Sequence, residues 1–567
     1  MIFLLRPHLR ANNSPVGIKI ILFVMSRFFK RLLLSSAIVC TAGIYSANAQ
    51  SYLNTPRTYP SINYNSNDLN FAAAKVKQTL FYLSNFYLDT VNVQKVTDET
   101  ITKIMQQFDP HSVYITAKDV DEMEEPLVGN FDGIGVEYAI INDSLSVQSV
   151  IPGGPSEKVG LHAGDKIIKV NGEEICGTHL TPKRVLGYLR GDRGTKVNIA
   201  ILRRGISGEI DVTITRDKIP LNTVDAAYEI SNGIMMIRIS RFGAETYNEM
   251  IIPVKQYLSA HKGKLKGIIL DLRGNPGGYL ETALTIANEF LDKGQLILYT
   301  EGRAVKRTDD LANGDGILKN VPLALLIDES SASASEIVAG AMQDWDRGTL
   351  IGRRSFGKGL VQQEFPLQDG GRLRMTIARY HTPSGRVIQS PYENGEADKY
   401  YENVIKRYLS DERFNKDSIK INDSLKFKTL KKGRIVYGGG GIIPDVFMPV
   451  DTSFYSKSYI KCVNKGIMTD FVNIYTDNHR KEFDAQYKNM EQFAKNYKVP
   501  DSYWNEFLAY SKAHGVEFTA TDLKASGEEI RKNLKGLIIR ALYGLDGYLK
   551  YDYSTDPEVK KALEVLK

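Results

Sequence analysis

Two continuous apolar runs most constrain the fold of this 567-residue chain. Residues 267–272 and 321–327 contain at most one charged side chain each, and each run is followed by a polar loop and then by apolar residues at helical spacing, over 279–291 and 336–345. Strands that are apolar on both faces are typical of sheets covered by helices on both sides. The pattern therefore predicts an α/β layer within residues 217–390.

The segments on either side predict further domains. Helical spacing of apolar residues near the N-terminus, and again from about residue 456, predicts helical regions at both ends. Residues 126–216 alternate apolar and polar positions, which predicts a β-rich module, with Thr181 as the cap of a short helix. The predicted order is a leader at 1–49, a helical N-terminal domain at 50–125, the β-rich module at 126–216, an α/β core at 217–455 with a Lys- and Tyr-rich insertion or lid at 391–437, and a helical C-terminal domain at 456–567.

The leader carries most of the excess positive charge. Residues 1–49 contain six basic residues and no acidic one, and without them the 73 Lys and Arg nearly balance the 66 Asp and Glu. The net charge of +7 therefore does not indicate a nucleic-acid-binding face. A basic stretch at 27–31, an apolar stretch at 32–45 and the sequence Ala47-Asn48-Ala49 predict a secretory signal peptide, with Met25 as an alternative start. An uncleaved N-terminal anchor is the competing interpretation.

Two polar loops follow the apolar runs, where α/β sheets place their sites. The first, residues 273–278, is rich in glycine and can present backbone N–H groups to a ligand oxygen. The second places Ser331, Ser333 and Ser335 at the start of a helix, where free N–H groups favour a developing negative charge. Together the loops could supply a nucleophile and an oxyanion hole, although serines are also ordinary helix caps. The residues alone leave both interpretations open.

A third stretch, residues 352–359, nearly matches a phosphate-binding loop. However, Gly359 stands where that motif has Ser or Thr, and residues 360–365 favour a strand where a phosphate site needs a helix, so an NTPase is disfavoured. Lys358 is then available as a general base if burial lowers its pKa toward about 7–8. A serine–lysine pair needs no histidine. The alternative is an ordinary exposed lysine.

Taken in order, these stretches resemble the carboxyl-terminal processing peptidases, or tail-specific proteases, of the S41 type. The resemblance covers about residues 70–450, and the matching pieces are residues 271–278, 331–337, 356–359, 378–386 and 441–445. It implies a multidomain α/β fold: a serine-protease core with a crotonase/Clp-like layered sheet, an inserted β-rich PDZ domain, and helical N- and C-terminal regions. The long insertion and the long C-terminal extension depart from compact family members.

The resemblance also implies roles for individual residues. Ser333 would be the nucleophile, Lys358, 25 residues later, the base, and Gln362 the residue that orients the lysine amine. The backbone N–H groups of Gly278 and Ala334 would hold the oxyanion.

The remaining residues of these stretches are expected to be structural. Ser331 and Ser335 would pack or cap, Asp344 would give structural support, and His111 would belong to the N-terminal helical domain.

The β-rich module resembles a PDZ domain, with one glycine-rich stretch at the place of the family's carboxylate-binding loop. Backbone N–H groups of such a loop capture a C-terminal carboxylate while the peptide adds as a strand to the sheet edge. The residues of this loop are Gly133, Ile134, Gly135 and Val136. The alternative is a simple hairpin turn.

The sequence therefore predicts an exported serine endopeptidase that cleaves proteins near their C-terminal tails. Expected partners are protein substrates with unstructured apolar C-termini, a second copy of the chain through the helical ends, and a regulatory adaptor. No metal, nucleotide, nucleic acid or other cofactor is implied, and Cys176 and Cys462 are too far apart to indicate a disulfide framework. The expected location is the periplasm, membrane-associated or secreted forms being alternatives. The rival function is a catalytically silent PDZ scaffold.

Overall fold

The computed structural model describes residues 66–141, 144–177, 180–203 and 205–567. The predicted signal peptide and its alternative start lie outside the described residues. The chain divides into two compact units. One comprises Gly129–Ala226 and Asp451–Lys560, and the other comprises the described residues up to Val128, together with Ala227–Val450 and Lys561–Lys567. Within the described ranges, no helix combines the length and the apolar character that a membrane crossing requires.

The helices and strands are numbered in chain order. The helices are α1 Ser66–Phe86, α2 Val93–Met105, α3 Val120–Val128, α4 Pro155–Lys158, α5 Pro182–Leu189, α6 Thr246–Ala260, α7 Leu280–Asn288, α8 Ala334–Asp344, α9 Ala397–Leu409, α10 Lys457–Asn464, α11 Ile467–Gln486, α12 Met490–Asn496, α13 Asp501–Ala513, α14 Ala520–Thr555 and α15 Pro557–Val565. The strands are β1 Val113–Ile115, β2 Asn130–Gly133, β3 Val136–Ile141, β4 Ser144–Val150, β5 Lys166–Val170, β6 Glu173–Glu174, β7 Lys196–Leu202, β8 Ile210–Thr215, β9 Asp217–Pro220, β10 Val224–Ser231, β11 Ile234–Ile239, β12 Gly267–Asp271, β13 Leu296–Glu301, β14 Thr308–Leu311, β15 Leu323–Ile327, β16 Thr349–Gly352, β17 Leu360–Pro366, β18 Arg372–His381, β19 Lys426–Lys428, β20 Ile435–Tyr437 and β21 Val446–Phe447.

The core sheet has the strand order β10-β11-β12-β15-β16-β21, and the pairs from β11 to β21 are parallel. Every residue of β12 and β15 is buried, which confirms the two apolar strands predicted from the sequence. Helices α7 and α8 follow them, as predicted; α7 is shorter than predicted, and α8 begins two residues earlier and ends one residue earlier. Because β12 and β15 are parallel neighbours, their two following loops leave the same edge of the sheet.

A second sheet of the same unit is antiparallel, with β1 and β17 both paired to β18. The segment predicted as a helical N-terminal domain, residues 50–125, also contains the short strand β1, where Val113 pairs with Arg374. The Asp109 carboxylate holds the turn before this strand, since it accepts the N–H groups of His111 and Ser112. This turn anchors the N-terminal segment to the core.

The predicted insertion forms α9, short 3₁₀ turns and the hairpin β19–β20. On α9, Tyr400, Tyr401 and Ile405 are buried in one apolar cluster with Ala332 and Phe356. The Arg407 guanidinium reinforces this packing because it donates to the carbonyl oxygens of Ser355 and Phe356. The insertion therefore packs directly on the loops that carry the candidate catalytic residues.

The other unit contains the β-rich module and the C-terminal helices. The module has a sheet of order β3-β4-β5-β7-β8 around a buried apolar core, and the Thr181 hydroxyl oxygen accepts the Arg184 N–H, which confirms the predicted helix cap. Helices α10–α14 enclose a separate aromatic-rich core that contains Cys462 and the predicted apolar face of α14.

Candidate active site

Ser333 lies between β15 and α8 in a strained backbone conformation. Its φ is 59° and its ψ is −115°, a region that residues other than glycine rarely adopt, and its side chain is completely buried. Its N–H donates to Oε2 of Glu336 at 2.9 Å, whereas its Oγ has no hydrogen-bond partner among the described residues. The hydroxyl is therefore presented without being used as a helix cap.

The two neighbouring serines are placed differently. Ser331 Oγ donates to the Leu272 carbonyl oxygen at 2.8 Å, and Ser335 Oγ donates to the Asn275 carbonyl oxygen at 2.9 Å. Both hydroxyls thus tie the serine loop to the glycine-rich loop. Of the three alternating serines, Ser333 is the one whose hydroxyl remains unengaged within the part of the chain that the structure describes.

The glycine-rich loop passes very close to Ser333. A Cβ on Gly277 would lie 2.7 Å from Ser333 Cβ and 3.0 Å from the Ala334 nitrogen, and a Cβ on Gly278 would lie 2.1 Å from the Phe242 carbonyl oxygen. Only glycine fits at either position. The backbone N–H groups of Gly278 and Ala334 donate to no residue that the structure describes. Two unpaired amide donors therefore belong to the two loops that meet at Ser333, and an oxyanion hole needs donors of this kind.

Lys358 lies in the extended segment before β17 and is only 1% exposed, so the alternative of an ordinary surface lysine is wrong. Burial, reinforced by the positive charge of Arg374, lowers the pKa of Lys358 to about 7, although Asp109 and Glu336 act in the opposite direction. An amine with such a pKa is substantially neutral at physiological pH and can accept a proton. Strand β17, which follows Lys358, is the strand that the sequence predicted at the place where a phosphate-binding loop would need a helix.

Glu336 connects the backbones of the two candidate catalytic residues. Its Oε2 accepts the N–H of Ser333 at 2.9 Å and the N–H of Lys358 at 2.8 Å. Its Oε1 accepts the Gly357 N–H at 2.7 Å and the Ser355 hydroxyl at 2.5 Å. The carboxyl group is completely buried, and burial raises its pKa against the effect of these hydrogen bonds. Four donors directed at two oxygens are what an ionised carboxylate can satisfy.

Tyr380 provides a second connection between the same two residues. Its hydroxyl lies 3.1 Å from the carbonyl oxygen of Lys358 and 3.4 Å from that of Ser333. Its side chain is completely buried, and burial raises its pKa well above the usual value, so it stays a neutral donor. The backbones of Ser333 and Lys358 are therefore held from both their N–H and their carbonyl sides.

Gln362 and His111 meet beside the lysine. Gln362 Nε2 donates to the His111 carbonyl oxygen at 2.5 Å, which leaves the amide oxygen of Gln362 as its acceptor. His111, expected to be a structural residue of the N-terminal helical domain, is buried, and its carbonyl oxygen is bonded to Gln362. Burial, together with the Lys358 charge, lowers the pKa of its imidazole well below the usual value. Sequence reasoning also missed Glu336. Asp344 is structural as expected, since it forms a buried ion pair with Arg386 at 2.7 Å.

In the other unit, the predicted carboxylate loop has two amides without an acceptor among the described residues. Gly135 has a φ of 76°, and the carbonyl oxygens of Ile134 and Gly135 are occupied by the N–H groups of Ser156 and Ile151. The N–H groups of Ile134 and Gly135 donate to no described residue. Strand β3 begins at Val136, the last residue of the loop, and among the described strands it pairs with β4 alone, so its other edge is unpaired there.

Comparison with known proteins identifies the family of the chain and one of its domains. The model of peptidase family S41 matches residues 233–393, and that of the PDZ domain matches residues 146–203, which begin after the candidate carboxylate loop. A carboxy-terminal-processing protease of Bartonella bacilliformis is 38% identical over 308 residues, which cover 53% of this chain and 69% of the relative. The chain belongs to the S41 peptidase family.

Other relatives of this S41 peptidase are similar to it over comparable lengths. A probable CtpA-like serine protease of Staphylococcus aureus is 34% identical over 374 residues, 64% of this chain and 72% of the relative. The solved photosystem II D1 C-terminal processing protease is 23% identical with a TM-score of 0.33, covering 66% of this chain and 86% of that one. Residues 458–544 match a family of unknown function. The predicted multidomain α/β fold with an S41 core and a PDZ domain is thus confirmed, and the chain is a serine-type peptidase of this family.

We expect Glu336→Gln to reduce peptidase activity by at least about 100-fold, because an amide cannot accept all four hydrogen bonds that fix Ser333 and Lys358. Each lost hydrogen bond to a charged group should lower the free energy of unfolding by roughly 1.5–3 kcal/mol. Ser355→Ala, which removes one side-chain donor and leaves the backbone donors in place, should cost much less activity. Peptide cleavage and denaturant unfolding of both variants test this expectation, and wild-type cleavage by Glu336→Gln would contradict it.

Proposed function

We propose that this S41 peptidase is an exported C-terminal processing endopeptidase that uses Ser333 as nucleophile and Lys358 as general base. The observation that carries the proposal is the Glu336 carboxylate, which accepts the N–H groups of both residues. Two residues whose backbones share one buried anchor keep a fixed separation, as a nucleophile and its base must. The unengaged Oγ of Ser333 and the lowered pKa of Lys358 support the assignment.

In the proposed reaction, the neutral Lys358 amine takes the proton of Ser333 Oγ as this oxygen bonds to the scissile carbonyl carbon. The Gly278 and Ala334 N–H groups stabilise the oxyanion that forms. The Lys358 ammonium then gives its proton to the leaving amine as the peptide C–N bond breaks. A water molecule, deprotonated by Lys358 in turn, hydrolyses the acyl-enzyme. Gln362 orients the amine through its side-chain oxygen, since its nitrogen is fixed on the His111 carbonyl oxygen.

The proposed substrates are proteins with unstructured apolar C-termini, because the PDZ domain offers a loop with free N–H groups and an edge strand. The carboxylate would bind Gly133, Ile134, Gly135 and Val136 at the start of β3. Export, with the periplasm as the destination, is proposed from the leader sequence of residues 1–49. Self-association through the helical ends and a regulatory adaptor remain predictions.

Single substitutions of the two catalytic residues should abolish cleavage. We expect Ser333→Ala and Lys358→Ala, made in residues 50–567, to cleave a reporter with an unstructured apolar tail about a thousand-fold more slowly than the wild type, or slower. Ser331→Ala and Ser335→Ala are matched controls that each remove a hydroxyl from the same loop and should retain measurable cleavage. Cleavage by Ser333→Ala would refute the nucleophile, and a wild type that binds the tail without cleaving it would favour the silent scaffold.

The pH dependence should report the Lys358 amine. Because the neutral amine is the base, we expect kcat/KM to rise with pH through about 7 and then to level off. Burial lowers the folded pKa below the ordinary value of 10.5, so the unfolded chain binds more protons between these values and the lysine makes stability rise with pH across that window. Unfolding measured from pH 7 to 10 should therefore show a smaller rise for Lys358→Met than for the wild type. Equal slopes in the two proteins would argue against a neutral buried lysine.

Amidation of the substrate's terminal carboxylate should weaken binding. Loss of a charged acceptor at the loop amides should raise KM by about 10- to 100-fold and leave kcat nearly unchanged. A short peptide without an apolar tail serves as the control, because its cleavage should not depend on amidation. Equal KM values for the free and amidated reporters would rule out carboxylate recognition by this loop.

A further inference from the structure

We propose that His111 is a positioning residue of the peptidase reaction, whose imidazole Nε2 accepts a hydrogen bond from the Lys358 ammonium that forms when Ser333 attacks. The inference rests on the proposed function, because it requires Lys358 to be the base. It extends the site to a residue from the N-terminal segment, far from both catalytic loops in the sequence.

A network of hydrogen bonds fixes the His111 backbone. Asp109 Oδ1 accepts the N–H of His111 at 2.9 Å and the Thr376 hydroxyl of β18 at 2.9 Å. The Ser112 Oγ, bonded to Asp109 Oδ2, accepts the Thr376 N–H at 2.9 Å. The turn is thus tied to the strand that pairs with β17, and β17 begins two residues after Lys358.

The His111 side chain is buried and incompletely bonded. The residue is 5% exposed, and its Nε2 has no hydrogen-bond partner among the residues that the structure describes. Buried polar atoms in folded proteins nearly always have a hydrogen-bond partner, so this nitrogen is a candidate for a bond that forms at another stage of the reaction. The imidazole stands edge-on to the Tyr400 ring, with 5.2 Å between centroids, and Tyr400 packs in one cluster with Ala332 and Phe356. Those two residues flank Ser333 and Lys358 closely in sequence.

The charges around this imidazole favour the neutral form. Burial and the nearby Lys358 charge lower the pKa of His111 well below its usual value, so Nε2 can be an acceptor at neutral pH. The other titratable or charged groups that act on the His111–Lys358–Tyr400 cluster are Asp109 of the same turn, Glu336 of α8, Arg374 of β18, and Tyr401 and Arg407 of α9. A neutral acceptor stabilises the Lys358 ammonium by a hydrogen bond. A carboxylate in the same place would add a negative charge and raise the pKa of the resting lysine more strongly.

One residue would then support the base in two ways. The His111 carbonyl oxygen fixes the amide nitrogen of Gln362, which leaves the Gln362 oxygen for the lysine amine. The imidazole of the same residue supplies the second acceptor. As Ser333 Oγ bonds to the carbonyl carbon and its proton moves to Lys358 Nζ, the new ammonium has both acceptors in place, and it gives them up when the proton passes to the leaving amine.

The test compares His111→Phe, His111→Gln and His111→Asn in residues 50–567. The amide end of Gln falls near the position of Nε2, whereas that of Asn falls near Nδ1, so only Gln replaces the proposed acceptor. We expect His111→Phe to lower kcat roughly 10- to 100-fold with little change in KM, and to move the acid limb of the kcat profile to lower pH, because the ammonium loses an acceptor. His111→Gln should recover most of both effects, and His111→Asn should recover neither.

Tyr401→Phe is the matched structural control, since the Tyr401 hydroxyl donates to the Pro110 carbonyl oxygen of the same turn at 2.7 Å. It should lower the melting temperature without moving the acid limb. An acid limb of His111→Phe that coincides with the wild type, or equal activities for the Gln and Asn variants, overturns the inference. Lys358→Ala separates it from the proposed function: cleavage by that variant overturns the dyad and this inference together, whereas an inactive Lys358→Ala beside a wild-type pH profile in His111→Phe overturns this inference alone.

Discussion

One buried carboxylate determines the geometry of the site. Glu336 is completely buried, where an isolated charge would be very unfavourable, but four hydrogen-bond donors surround its carboxylate. Two of these donors are the N–H groups of Ser333 and Lys358. The relative position of nucleophile and base is consequently a property of the main chain, not of two flexible side chains. The hydrogen bond from the Ser333 N–H to Glu336 helps to hold Ser333 at a φ of 59°, a strained conformation in which its Oγ has no hydrogen-bond partner among the described residues.

The rest of the unit serves to bring loops from different sheets to this carboxylate. Parallel pairing of β12 with β15 places the glycine-rich loop beside the serine loop, and Ser331 and Ser335 fasten the two together. Lys358 lies on a third segment, which leads into β17. Its lowered pKa depends on exclusion of water, which the apolar residues of α9 and the turn at 109–112 help to provide. The insertion therefore packs against Ala332 and Phe356, which are close in sequence to Ser333 and Lys358.

The sequence was sufficient for features that depend on local pattern. The apolar runs at 267–272 and 321–327 predicted buried strands, and the loops after them predicted the site. Features that depend on distant contacts were missed. His111 and Gln362 are 251 residues apart in the sequence. They meet because β1 pairs with β18, and β1 has only three residues, which is too short to show a period in the sequence. Glu336 did have a signal, since Ser333 and Glu336 have the spacing of a capping box, but that pattern predicts a helix start and says nothing about Lys358.

Burial of the proposed dyad imposes two opposing demands. A lysine base needs an environment dry enough to keep its amine neutral, and Ser333 and Lys358 are 0% and 1% exposed. The scissile peptide must nevertheless reach Ser333 Oγ, so it has to displace side chains that now cover the site. An extended chain is narrow, so it displaces the fewest side chains. Its own apolar side chains take the place of the apolar surface that they displace, so Lys358 stays desolvated when substrate is bound. A folded segment would have to open the cluster of Ala332, Phe356 and Tyr400 and admit water to the amine. The proposed preference for unstructured tails therefore has a physical basis in the burial of Lys358 as well as in the proposed role of the PDZ domain.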